Sequence, residues 1–171
     1  MESQNLSPGK FALNYGVMLA IIMILISVTT YVTGMTLEGV QWPNYVYYVI
    51  FPIIIIYAIS QFKKQNSNLL SLGQAIKLGV LISIISGVII MIYSVIFNYL
   101  IDPEFMSDLM QVTKDKMLED PKFTEEMIDQ SMKIFKIFSN PFISGAFMIV
   151  MSAIFGLIYS LIGGLIMKRE E

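Results

Sequence analysis

Residues 75–101 read AIKLGVLISIISGVIIMIYSVIFNYLI, and the only charge in the run is Lys77, near its start. The hydrocarbon core of a bilayer is about 30 Å thick. A helix rising 1.5 Å per residue crosses it in about 20 apolar residues. This run is therefore long enough and apolar enough to span a membrane. It also carries a small residue at every fourth position, Ala75, Gly79, Ser83 and Gly87, which places them on one helix face. Lipid tails are as apolar as leucine, so membrane helices associate largely through close packing over small residues. The stretch predicts a span and the face by which that span packs.

Three further segments have the same character: about Phe11 to Thr33, Tyr45 to Phe62 and Phe142 to Met167. None has a charge in its central part. The fourth span repeats the small-residue stripe with Ser152, Gly156, Ser160 and Gly164, and the first carries Ala12, Gly16 and Ala20. The predicted fold class is an all-α integral membrane protein in which residues 1–171 form a single four-span domain. Its helix-packing positions are Gly16, Gly79, Ser83, Gly87, Ser152, Gly156, Ser160 and Gly164. All the stripes fall in one half of the bundle, predicted to be cytoplasmic. The bundle should be tight there and bulkier at the other end, where Tyr93, Phe97 and Tyr99 lie. Pro52 lacks an N–H and clashes with the preceding turn, so a kink is expected in the second span.

Composition narrows the chemistry. The 171 residues are 56% hydrophobic and 14% charged, against about 45–50% and 25% for soluble domains. There is no histidine and no cysteine. That excludes thiolate and imidazole catalysis, cysteine or histidine metal sites and disulfides. A net charge of -2 argues against nucleic acid as a partner. No cofactor is expected.

The basic residues set an orientation, because they accumulate in cytoplasmic loops. Lys10 precedes span one, Lys63, Lys64 and Lys77 bracket the connection between spans two and three, and Lys168 and Arg169 follow span four. The connection Gly34 to Asn44 has no base. Both termini are therefore expected on the cytoplasmic side of the membrane. The leader before Lys10, with Glu2, does not read as a cleaved signal peptide. Trp42, Tyr45, Tyr47 and Tyr48 on span two, with Tyr93, Phe97 and Tyr99 on span three, would form an aromatic belt at the outer headgroup level. A weak repeat aligns Ala12–Ile22 with Ala75–Ile85, as two parallel helical hairpins would.

Residues 102–140 hold nine acids and five lysines and are the one sizeable part expected outside the membrane. Asp102-Pro103-Glu104 is a helix-start signature. Met106, Leu109, Met110, Thr113 and Met117 then recur at helical spacing. Asp120-Pro121 or Thr124-Glu125-Glu126 opens a second helix, with an apolar stripe of Ile128, Met132, Phe135 and Phe138. Asn140-Pro141 breaks it and starts span four. The segment reads as an outer amphipathic helical hairpin. Met106, Met110, Met117, Ile128, Met132, Phe135 and Phe138 form its candidate interaction surface. That surface would meet the other helix, the headgroup layer, a second protomer or another membrane protein. Asp102, Glu104 and Asp108 lack the spacing of a calcium loop, so no metal site is expected.

The stretch from Ser71-Leu72-Gly73-Gln74-Ala75 through Tyr93 to Ile101-Asp102-Pro103-Glu104-Phe105 resembles the family catalogued as domain of unknown function 4199. Ala12-Leu13-Asn14-Tyr15-Gly16, Asn140-Pro141 and Lys168-Arg169 resemble its opening and its close. The resemblance covers nearly the whole chain. It implies a small multi-spanning bacterial membrane protein, mostly found in Bacteroidota, and implies no activity, substrate or site residue. The functional expectation is a non-enzymatic accessory or assembly protein acting through its outer hairpin. The alternative is a small oligomeric transporter or channel for a neutral solute, with Ser83, Ser86, Ser94, Ser152 and Ser160 along its path.

Overall fold

A computed structural model describes residues 7–169; the start of the leader, with Glu2, lies outside the described residues. The described chain is built of helices joined by short connections, with no strand among the described residues. Helix α1 spans Pro8–Val32, a short α2 spans Met35–Glu38, α3 spans Trp42–Gln65 and α4 spans Leu72–Ile96. A π-helical turn, Phe97–Ile101, extends α4. Then come α5 (Phe105–Glu119), α6 (Glu125–Phe138) and α7 (Pro141–Met167). Helices α1, α3, α4 with its π-turn, and α7 are each long and apolar enough to cross a membrane. This is the predicted four-span, all-α membrane fold.

The boundaries follow local chemistry. Proline occupies the first turn of α1, α3 and α7, where its missing N–H has no intrahelical partner to lose. Ser71 and Gln74 cap α4 reciprocally: Ser71 Oγ accepts from Gln74 N at 3.2 Å, and Gln74 Oε1 accepts from Ser71 N at 2.9 Å. The Asn140 carboxamide oxygen accepts from Phe142 N and Ile143 N. Several expected ends shift. Helix α3 reaches about a turn beyond Tyr45–Phe62 in both directions, so the whole aromatic cluster lies inside it. Helix α5 starts at Phe105 and not at Pro103, so Glu104 stands at the N-cap position without a side-chain bond, and Asp102 Oδ1 accepts from Phe105 N at 3.1 Å from outside the helix. Of the two candidate starts for α6, Thr124 is the cap; its hydroxyl accepts from Met127 N. Helix α2 was not foreseen. It sits between Gly34 and Gly39, both left-handed at φ +73° and +74°, a conformation that glycine alone adopts without strain. Helix α3 continues through Pro52.

Helix α4 is the hub. It packs most closely along α7, next along α1, while α3 touches α1, α4 and α7 more loosely. The buried core gathers in the half of the bundle that holds the α3–α4 turn and the ends of α1 and α7. Ala12, Leu19, Ile55, Ile59, Phe62, Leu78 and Ile82 lie there, all buried. A backbone bridge, Leu70 to Arg169, ties the α3–α4 turn to the end of α7. The α4–α7 seam shows why the packing is close. A Cβ on Gly79 would strike Ser160 and lie 2.8 Å from the Gly156 carbonyl; one on Gly156 would strike Ser83. Gly87 faces Ile149 and Ser152, and Gly164 faces Ala75 and Leu72. Across the α1–α4 seam, Gly16 sits against Ile85. Each four-residue step along α4 meets a four-residue step back along α7. The two halves of the weak sequence repeat are packed unequally: α4 and α7 interlock, while α1 and α3 stand further apart.

Candidate functional site

Four of the five span serines donate to backbone carbonyls, while the fifth, Ser94, accepts from Asn98 Nδ2 at 3.3 Å. Ser83 donates to Gly79 O at 2.8 Å, Ser86 to Ser83 O at 3.0 Å and Ser160 to Leu157 O at 3.1 Å. Ser152 donates to Ile149 O and reaches across to Ser83 O at 3.3 Å. Such bonds satisfy hydroxyls that would otherwise be costly in hydrocarbon. Among the described residues no buried side-chain nitrogen or oxygen lacks a partner. Ser83 and Ser160 act as small packing residues in the tight half of the bundle, whereas Ser86, Ser94 and Ser152 border the space between the spans at its other end.

The other half is open inside. Large side chains hold the four spans apart and leave a cavity of about 650 Å³, within the range of roughly 300–1,000 Å³ usual for ligand sites. Leu19, Met23 and Ser27 of α1, Tyr47 and Phe51 of α3, Ser86, Ile90 and Tyr93 of α4, and Met151 and Phe155 of α7 are among its walls. Its roof comes from the end of the third span and the start of the hairpin: Phe97 and Asn98 of the π-turn, and Phe105 and Met106 of α5. The expected aromatic belt thus divides. Trp42, Tyr45 and Tyr99 are exposed and stand away from the cavity, Tyr47, Tyr93 and Phe97 face into it, and Tyr48 is exposed at its edge. Periodicity alone does not separate these groups, because all lie at the same depth.

The roof is fixed by one aromatic cluster. The rings of Tyr31, Phe97 and Phe105 meet edge to face, with centroids 4.8 Å, 5.3 Å and 5.4 Å apart, the geometry that ring quadrupoles favour. Tyr31 Oη donates to Asp102 Oδ2 at 2.9 Å. Asp102 therefore holds α1 with one oxygen and α5 with the other. Asn98 donates to Ser94 O at 2.8 Å, across the loosened turn where α4 becomes π-helical. These residues join α1, α4 and α5 at one point over the cavity. Among the described residues no three acidic side chains converge as a metal site would require.

The sequence profile of the family described as Protein of unknown function (DUF4199) matches residues 14–169. The chain belongs to that family. No curated protein and no solved structure matches it. In this DUF4199 chain the match takes in all the cavity walls, the roof and the hairpin.

The hairpin's candidate surface turns mostly inward. Helices α5 and α6 pack against each other, with Ile128 buried at 4% exposure and Met110, Met132 and Phe135 half-buried. Met106 belongs to the cavity roof. Met117 lines a smaller groove between α2 and α5. Phe138 rests edge-on against Phe147 of α7, 5.2 Å between centroids. Phe138 nevertheless stays partly open, and the other apolar residues left exposed on the hairpin lie outside the candidate surface: Leu118, Phe123, Met127, Ile134 and Ile137. Lys116 crosses to α2, donating to Leu37 O at 3.0 Å and Glu38 O at 2.7 Å; such a cation complements the carbonyl end of a helix. Sequence reading missed the cavity, the Tyr31–Asp102 bond and the Lys116 tie. Each joins residues far apart in the chain, which no local pattern marks.

Proposed function

We propose that this chain is a non-enzymatic membrane protein that works at its hairpin end, as an accessory or assembly protein that binds a small molecule beneath the hairpin. One observation carries the reading: Phe105 and Met106, at the start of the hairpin, form the roof of the cavity, so occupancy of the cavity and placement of the hairpin are coupled. The hairpin then supplies the surface that a membrane-protein partner or a second copy would read. The basic residues at the opposite end support a cytoplasmic location for both termini.

The cavity walls offer hydroxyls, amides, aromatic rings and thioethers. They suit binding, and they offer no proton shuttle or nucleophile with a base beside it. The test is chemical. The full chain is purified in mild detergent, and its organic extract is compared by mass spectrometry with that of Ser94→Phe, which fills the cavity from α4. A small molecule present in the first extract and depleted at least tenfold in the second supports the reading; identical extracts overturn it. A second reading, transport of a neutral solute, is favoured by the uncharged lining. It requires the closed half to open, and solute flux into vesicles equal to that of protein-free vesicles would remove it.

A further inference from the structure

The mouth of the cavity identifies what enters it. Its lining residues on α1 and α4 are buried or half-buried. The exposed ones lie on α3 and α7: Asn44, Tyr48, Phe147, Met148 and Phe155. Tyr48 is 70% and Met148 53% exposed. The opening therefore runs along the α3–α7 seam. Towards the closed half this seam is bridged by Phe51 and Tyr159, 6.2 Å between ring centroids. Both helices are spans, so the seam opens sideways into the bilayer. The lining contains no lysine, arginine, aspartate or glutamate, and an ion placed there would lose its hydration without a counter-charge. Tyr47, Tyr93 and Asn98 supply neutral polar groups near the roof. Met23 and Met151 supply soft apolar walls that adapt to a flexible chain.

We infer that the cavity takes a neutral amphiphile from the bilayer, which enters between α3 and α7 with its uncharged polar end toward the roof and its hydrocarbon chain toward Leu19. This rests on the binding reading above and adds to it the ligand class and the route.

The test uses the full chain in phosphatidylcholine nanodiscs. Trp42→Phe with Tyr93→Trp places the sole indole in the cavity wall, and Trp42→Phe with Tyr47→Trp is a second reporter should the first not fold. The probes are a brominated monoacylglycerol and a brominated fatty acid ionised at the working pH. The seam is locked by Tyr48→Cys with Met148→Cys and a bifunctional maleimide, which the cysteine-free chain makes specific. The expected result is saturable quenching by the monoacylglycerol, at half-saturation at least tenfold below that of the carboxylate, with the lock slowing its onset at least tenfold. Equal quenching by the two probes overturns the ligand class. Saturable quenching that the lock leaves unchanged overturns the route. No saturable quenching, with a small molecule still recovered in extracts and lost in Ser94→Phe, overturns this inference and leaves the binding reading standing. Absence of both removes both.

Discussion

At Gly156 a single methyl group decides whether α4 and α7 can meet. Its Cβ would strike the Ser83 side chain and lie 2.8 Å from the Gly79 carbonyl, and backbone cannot step aside. Gly156→Ala should therefore destabilise the bundle by about 1–3 kcal/mol, as overpacked sites do. Gly73 is the control: a Cβ there meets nothing closer than Ser71 Oγ at 4.0 Å. Gly73→Ala should leave stability unchanged or raise it by up to about 1 kcal/mol, the helical gain of alanine over glycine. Unfolding in mixed micelles compares the two, and equal midpoints would refute the packing argument. Tyr31→Phe keeps the aromatic cluster but removes the bond to Asp102. It should speed hydrogen exchange at the first amides of α5 several-fold and leave α4 unchanged. The glycine positions were legible because a four-residue period is a local property. The Tyr31–Asp102 bond joins residues 71 apart, and a lone tyrosine at a span end carries no sign of its partner.

Among the elements, α5 and α6 show what periodicity can and cannot convey. The stripe Ile128, Met132, Phe135 and Phe138 gives α6 correctly as a helix, and its inner part turns toward α5. Periodicity does not say which part of a broad apolar arc is covered, so it does not mark Met127, Ile134 and Ile137, with the end of the stripe at Phe138, as the exposed side of α6. Helix α2 is too short to show a period, and its flanking glycines read equally well as a loop. Its tie to α5 yields a prediction: Lys116→Met should raise exchange at Gly39 and Val40 while leaving the unfolding midpoint of the spans within error, since an exposed polar contact contributes little globally. Deleting residues 103–138 should abolish recovery of any membrane-protein partner that the full chain retains in mild detergent. The same partners, or none, recovered either way would refute the hairpin's role.

For the whole molecule, the number of spans follows from hydrocarbon thickness and hydropathy, and so was legible. The cavity was legible only in outline. Small residues in one half and bulky ones in the other predict unequal packing, but its walls are a joint property of four helices and a roof. The orientation is a direct test. Single cysteines introduced at Lys64, Lys168 and Leu118 should divide under a membrane-impermeant maleimide in intact cells, with only the Leu118 position labelled. Labelling of Lys64 or Lys168 would refute the proposed orientation.

The interlocked α4–α7 seam also constrains assembly in time. During synthesis α4 emerges with α1 and α3 already made, and the two helices of the hairpin must follow before α7 exists. Through that interval the α4 face formed by Gly79, Ser83 and Gly87 has no permanent neighbour, and only then does the closest interface in the molecule close. A nascent chain stalled within the hairpin would therefore display the surface most prone to pair with a foreign membrane helix. Release of α7 ends that exposure.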